Sequence, residues 1–214
     1  MYTQDYQLVY ELMHDIDFHT YWAARVFEKP ESEITKQERA DIKQSFVFLL
    51  FYGGWHVTSA HALKVPVKHI KMLEKALFDR YPGVKAWQDR VWKFYKKNGY
   101  VENFLGFRRY GPLKRRHVIN TPVQGTSFQF LLNGMDWFTE LLRTEMEYQG
   151  FRSHIVLQIH DELLIDCVRS EVNDVRKLCD KIFTDKHYPW QGDVRMSVDW
   201  SIGEKNFAEL APCA

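Results

Sequence analysis

One short stretch, Leu157-Gln158-Ile159-His160-Asp161-Glu162-Leu163-Leu164-Ile165, constrains the fold of this chain more than any other. Apolar residues flank a cluster of three titratable ones, which predicts strands from His154 to Ile159 and Leu163 to Cys167, hinged by His160-Asp161-Glu162. Strands joined by so tight a hinge must be antiparallel neighbours. Most of the chain before them has helical spacing, so the class is α+β: helices first, then an antiparallel sheet with helices packed on it.

The helical part carries its own punctuation. Thr35-Lys36-Gln37-Glu38 is a capping box opening a helix toward Tyr52, which Gly53-Gly54 stops. Ile70, Leu73 and Leu77 form an apolar stripe. Pro82 opens a helix with Val84, Trp87, Val91 and Phe94 on one face, and Asn98-Gly99 ends it. Tyr100 to Tyr110 reads as extended or turn-rich. One long helix is expected from Pro122 to Gly150, burying Phe128, Leu131, Leu132, Met135, Phe138 and Leu142. A helix from Val172 to Phe183 and a strand from Val194 to Trp200 complete the expectation.

Apolar residues at 45% and charged residues at 27% suit a folded chain rather than a disordered one. The net charge of +1 announces no polyanionic partner. Its distribution is more informative, because seven basic residues stand between Lys96 and Arg116 against the single acid Glu102. Such a cluster suits either a phosphate-contacting groove or a solvated basic face. Cys167, Cys179 and Cys213 form no paired Cys-x-x-Cys, which excludes a usual zinc framework and argues for a reducing compartment. No stretch has the length of a membrane span, so no membrane partner is expected and the chain reads as cytoplasmic.

Two segments carry chemistry. Asp161 and Glu162 at a rigid hinge are suited to a divalent metal, although charged turns are also common without one. Arg39 and Lys43, four residues apart, put two cations on one helix face, ready for phosphates. Phe48, Tyr52 and Gly53 form a second set on the same helix, but Lys43 and Tyr52 stand nine positions apart. At about 100° per residue a regular helix places them on opposite faces. A one-residue π-bulge between Lys43 and Phe48 would reunite them, and this reading is preferred; otherwise Val47 and Phe51 occupy the regular face. Phe46, Phe48, Phe51 and Tyr52 are equally readable as core aromatics.

These segments, taken in order, resemble family A DNA polymerases, the DNA polymerase I type. His160-Asp161-Glu162 is similar to the family motif whose Asp binds catalytic magnesium ions. Arg116 through Thr126 resembles its Arg-x-x-x-Asn-x-Pro-x-Gln-Gly-Thr signature, and Gly99 through Tyr110 its Gly-Tyr-Val-Glu-Thr…Gly-Arg-Arg stretch. Asp17-Phe18-His19-Thr20 resembles Asp-Ile-His-Thr, and Trp200 through Phe207 the C-terminal tail. The resemblance implies Asp161 as metal ligand and catalytic residue with Glu162 beside it. It implies His19, Arg39, Lys43, Phe48 and Tyr52 at the incoming dNTP, and Arg108, Arg109, Arg116, Asn120, Gln124 and His160 at the DNA primer-template. It further implies a right-hand architecture, with fingers over residues 1–113 and palm over 114–214.

The family's other metal-binding Asp, in an Asp-Tyr-Ser-Gln-Ile-Glu segment, should lie before Met1, as should thumb and exonuclease. The chain is therefore expected to lack the first palm strand and to share a site for two Mg²⁺ ions with a second polymerase chain, without which it is inactive. A split, bacteriophage-encoded polymerase in the host cytoplasm would suit this, and a piece of a longer polymerase would behave alike. The alternative is a non-catalytic DNA-binding remnant. An open sheet edge would make the isolated chain prone to self-association.

Overall fold

The computed structural model describes residues 2–144, 150–185, 188–192, 194 and 196–213. They form two compact units, Met1–Thr126 with Gly192–Val194, and Ser127–Gln191 with Arg195–Ala214. The architecture is α+β, mostly helical with small antiparallel strand pairs.

The first unit holds α1 (Tyr6–Met13), α2 (Phe18–Phe27), α3 (Lys36–Ile42), a π-helix (Lys43–Phe48), α4 (Leu49–Phe51), α5 (His56–Leu63), α6 (Val67–Arg80) and α7 (Pro82–Asn98). Asp5 caps α1 by accepting the Leu8 N–H at 2.9 Å, and also accepts the Gly83 N–H at the start of α7 at 2.7 Å. The Thr35 capping box is present with both of its reciprocal hydrogen bonds. Trp22, Ile42, Phe46, Leu50, Ile70, Leu77 and Tyr81 form the centre of the core. Glu11, also fully buried, accepts from Tyr81 Oη at 2.5 Å, Arg80 Nε at 2.9 Å and Gln7 Nε2 at 2.7 Å, which ties α1 to α6. A charge at this depth is tolerable because both carboxylate oxygens accept hydrogen bonds and the Arg80 guanidinium pairs with it.

The π-helix replaces the regular turn after Lys43, as the preferred reading required. The cause lies in the core. Ile42, Phe46, Val47 and Leu50 are all inside. Val47, which a regular helix would turn to the face of Lys43, is completely buried, so the surplus residue is absorbed in one widened turn and Phe48 rotates outward. Buried Gln88 of α7 then donates to the Leu50 and Phe51 carbonyls at 2.8 and 2.9 Å, satisfying acceptors left at the helix end. Gly53 follows with φ +76°, a left-handed conformation that ends the helix.

The extended segment after α7 is a hairpin, β1 (Tyr100–Glu102) with β2 (Arg108–Tyr110), in antiparallel register. The long helix α8 (Arg115–Thr144) starts seven residues before the expected Pro122, which lies inside it. An interior proline removes one helical hydrogen bond and costs about 3 kcal/mol. Fully buried Val118 and Ile119 anchor the turn ahead of it and offset that cost. The expected continuation over residues 145–149 lies outside the described residues, and the division between units falls within α8.

In the second unit, Phe138 of α8 packs on Val175, Leu178, Cys179 and Ile182 of α9 (Val172–Thr184). Phe128 and Leu132, expected on the buried side, are 48% and 40% exposed, while Phe130 is buried instead. The core face runs through Phe130, Gly134 and Phe138, because Phe183 of α9 approaches so closely that a Cβ on Gly134 would meet it at 2.1 Å. Strands β3 (His154–Ile159) and β4 (Glu162–Asp166) pair antiparallel with a bulge between Ile155 and Leu157, and Ile155 and Ile165 pack on the α8–α9 core. Residue 194 and residues 196–200 form no strand, since no neighbouring strand pairs with them among the described residues; Arg195 lies outside these. A short pair, β5 (Ser201–Ile202) with β6 (Ala211–Pro212), closes the chain.

Candidate functional site

The first unit gathers the cationic and aromatic residues singled out in the sequence. Asp17 caps α2 by accepting the His19 and Thr20 N–H groups at 3.2 Å each, which fixes His19 in the first turn. His19 is buried, its ring 4.3 Å from Phe18 and 5.7 Å from Phe48 between centroids. Its Nδ1 is buried without a hydrogen-bond partner among the described residues. Burial, reinforced by the nearby Arg39 and Lys43 charges, pushes the imidazole down to about 4, so it is neutral near pH 7.

Arg39, from α3, donates through Nε to Asp17 at 2.7 Å. Partial burial alone would raise the Asp17 carboxyl, but hydrogen bonds from Arg39 and Thr20 outweigh it and hold the group at about 2. Lys43 Nζ stands 5.5 Å from the Phe48 ring, and the Phe48 and Tyr52 rings are 5.9 Å apart. Gln124 of α8 donates to Tyr52 Oη at 3.2 Å. Thus His19, Arg39, Lys43, Phe48, Tyr52 and Gln124 form one connected surface of two cations, a neutral imidazole, two aromatic rings and an amide. A polyphosphate carrying a flat ring is the chemical class that such a surface accommodates.

The other basic candidates are dispersed over β2 and the start of α8. Arg108 pairs with Glu102 and lies over the Tyr100 ring at 4.8 Å. Arg109 donates to Thr121 Oγ1 at 3.1 Å, and exposed Arg116 reaches His117 Nε2 at 3.4 Å. The Asn120 Oδ1 is buried without a partner among the described residues. Tyr2 supports this region from the N-terminal side: its hydroxyl lies 2.6 Å from Thr126 Oγ1 and accepts the Phe104 N–H at 3.1 Å, while its ring stacks on Phe104 at 3.9 Å. Nothing local in the sequence marks Tyr2, and Asp17 is marked only as part of Asp17-Phe18-His19-Thr20, since the partners Thr126, Phe104 and Arg39 lie far away in sequence.

The carboxylates lie in the second unit. Ile159 pairs with Glu162, so the turn between β3 and β4 is only His160-Asp161, one residue tighter than expected, and His160 adopts φ +55°. All three side chains of His160-Asp161-Glu162 are exposed. Hard oxygen donors on a rigid turn fit Mg²⁺, which takes one or two carboxylates and completes its shell with water and phosphate. Among the described residues no cluster of three or more His, Cys, Asp or Glu could hold a metal by itself, so the donor type fits while the set is incomplete.

The family model of DNA polymerase family A matches residues 1–209. The chain belongs to that family. Among its family A relatives, DNA polymerase I of Chloroflexus aurantiacus is 27% identical over 98% of this chain and 22% of its own length. DNA polymerase I of Pseudomonas aeruginosa is 30% identical over 79% of the chain and 19% of its own length. The chain therefore spans about a fifth of these curated relatives. A solved structure, the POL domain of Pol1 from M. smegmatis in complex with DNA primer-template and dNTP, matches with a TM-score of 0.73 at 27% identity, covering 85% of this chain and 33% of that one. The fold is that of a family A polymerase fragment, and no described helix is long and apolar enough to cross a membrane.

Proposed function

We propose that this chain supplies the fingers, residues 1–113, and part of the palm, residues 114–214, of a DNA-directed DNA polymerase. The observation that carries the reading is the π-helix, which brings Phe48 and Tyr52 to the face of Arg39 and Lys43, beside neutral His19. In this reading Arg39 and Lys43 hold the triphosphate, His19 contributes a neutral hydrogen-bonding edge, and Phe48 and Tyr52 support the base. Arg108, Arg109, Arg116, Asn120, Gln124 and His160 face the primer-template without reading sequence.

Asp161 would hold Mg²⁺ with Glu162 beside it, and the bound ions supply activation of the primer 3′-hydroxyl and charge neutralisation at the phosphates. The remaining carboxylate comes from residues outside this sequence, on a second chain or a longer one. The half-exposed Val156 and Leu157 of β3 suit cover by the same residues.

The test is primer extension with Mg²⁺ and four dNTPs, by the chain alone and with a polypeptide carrying the upstream family A palm segment. Extension only in the mixture, abolished by Asp161→Ala, is expected. Extension by the chain alone would sink the shared site. DNA binding without extension in either case would favour a non-catalytic module.

A further inference from the structure

We infer that Asp17 is a positioning residue that sets Arg39 and His19 together for a triphosphate; this rests on the nucleotide site proposed above. One carboxylate serves two elements. Its Oδ1 accepts the His19 and Thr20 N–H groups, and its Oδ2 accepts Thr20 Oγ1 and Arg39 Nε, both at 2.7 Å. Asp17 therefore fixes both the turn bearing His19 and the guanidinium arriving from α3.

The way Asp17 holds Arg39 matters. It engages Nε, and among the described residues the two Nη groups have no partner, so the forked end is free for a bidentate phosphate contact. Both side chains are more than 40% exposed, so a ligand can reach them. A long arginine otherwise loses rotamer freedom on binding; Asp17 imposes that order beforehand.

Two effects of Asp17 on a bound anion have opposite signs. Its negative charge repels a triphosphate, which would weaken binding, whereas its orientation of Arg39 strengthens it. Positioning predicts that orientation wins. Asp17→Asn separates the two, because Asn caps a helix as well as Asp does and keeps α2 in place, yet loses the charge-assisted bond to Arg39.

The experiment titrates inorganic tripolyphosphate into the full 214-residue chain, read by phosphorus-31 NMR to millimolar ligand, for the unchanged chain, Asp17→Asn, Arg39→Ala and the double variant. Asp17→Asn should weaken binding about tenfold when Arg39 is present and leave it nearly unchanged when Arg39 is absent. Tighter binding by Asp17→Asn would show Asp17 to be only a repelling charge, and equal weakening in both backgrounds would show that it acts through α2 alone; either overturns the inference. Normal binding by the unchanged chain with either of those results leaves the nucleotide site standing. No binding by the unchanged chain overturns that site and Asp17's role with it.

Discussion

Replacing Gly53 by alanine tests how the end of the helix that follows the π turn is fitted to α8. Gly53 has φ +76°, and a Cβ there would stand 2.4 Å from Ile119 Cδ1, with Cγ1 and Cβ of Ile119 at ordinary contact distances of 3.4 and 3.5 Å. The left-handed conformation costs a non-glycine residue about 1–2 kcal/mol. Overpacking against a fully buried neighbour adds about 1–3 kcal/mol. Gly53→Ala should therefore destabilise the first unit by about 2–5 kcal/mol. Ile119→Val removes the single clashing atom and alone costs about 0.5–1.5 kcal/mol. Combined, the two should recover the overpacking and leave the backbone strain, so the double variant is more stable than Gly53→Ala alone. Urea unfolding followed at buried Trp22 by fluorine NMR of 5-fluorotryptophan reads the first unit specifically. Strictly additive effects, or a loss below about 1 kcal/mol for Gly53→Ala, would refute the stated geometry.

Three further outcomes are expected. Glu11→Gln keeps an acceptor but removes the charge that Arg80 and Tyr81 address, and should cost about 1.5–3 kcal/mol in urea unfolding; a loss under about 0.5 kcal/mol would mean the buried cluster contributes little. Deleting Gln44 removes the surplus residue, so the π turn should become α-helical with Phe48 still beside Lys43, seen as nuclear Overhauser contacts; an unfolded product would count against a pure insertion. The folded His19 imidazole is depressed from 6.5 to about 4, so the unfolded chain binds the extra proton and stability falls as pH drops through that window. Asp17, depressed from 3.8 to about 2, extends the loss below it, and a melting-temperature profile that His19→Gln leaves unchanged between pH 6.5 and 4 would contradict the assignment.

What the sequence made legible was local. The Thr35 capping box, the Gly99 helix end and the β3–β4 hairpin depend on residues within a few positions of one another; the first two stand where their patterns placed them and the hairpin does so with its turn one residue tighter. The phase conflict between Lys43 and Tyr52 was legible as well, because two incompatible faces on one helix demand a widened turn. The misses were decided at a distance. Pro122 stops helices in general, but Val118 and Ile119 are buried strongly enough to start this one earlier. Phe128 has the period of a core residue, yet the approach of Phe183 to Gly134 turns the buried face toward Phe130. Residues 196–200 alternate like a strand, but strand character also needs a neighbour to bond with. Asp17 and Tyr2 acquired their partners only when the chain folded.

The widened turn over Lys43–Phe48 also has a consequence for any comparison between this chain and its relatives. An inserted residue in a rigid rod would swing everything downstream by about 100°. A displacement spent within a single widened turn, as over Lys43–Phe48, would instead leave Tyr52 and Gly53 at their stations while their sequence offset from Lys43 changes. Equivalence between two such chains is then a property of the surface they present and not of how many residues separate two landmarks. An alignment that honours this must open its gap inside the helix, between the cations and the rings, where ordinary gap placement is least willing to put one.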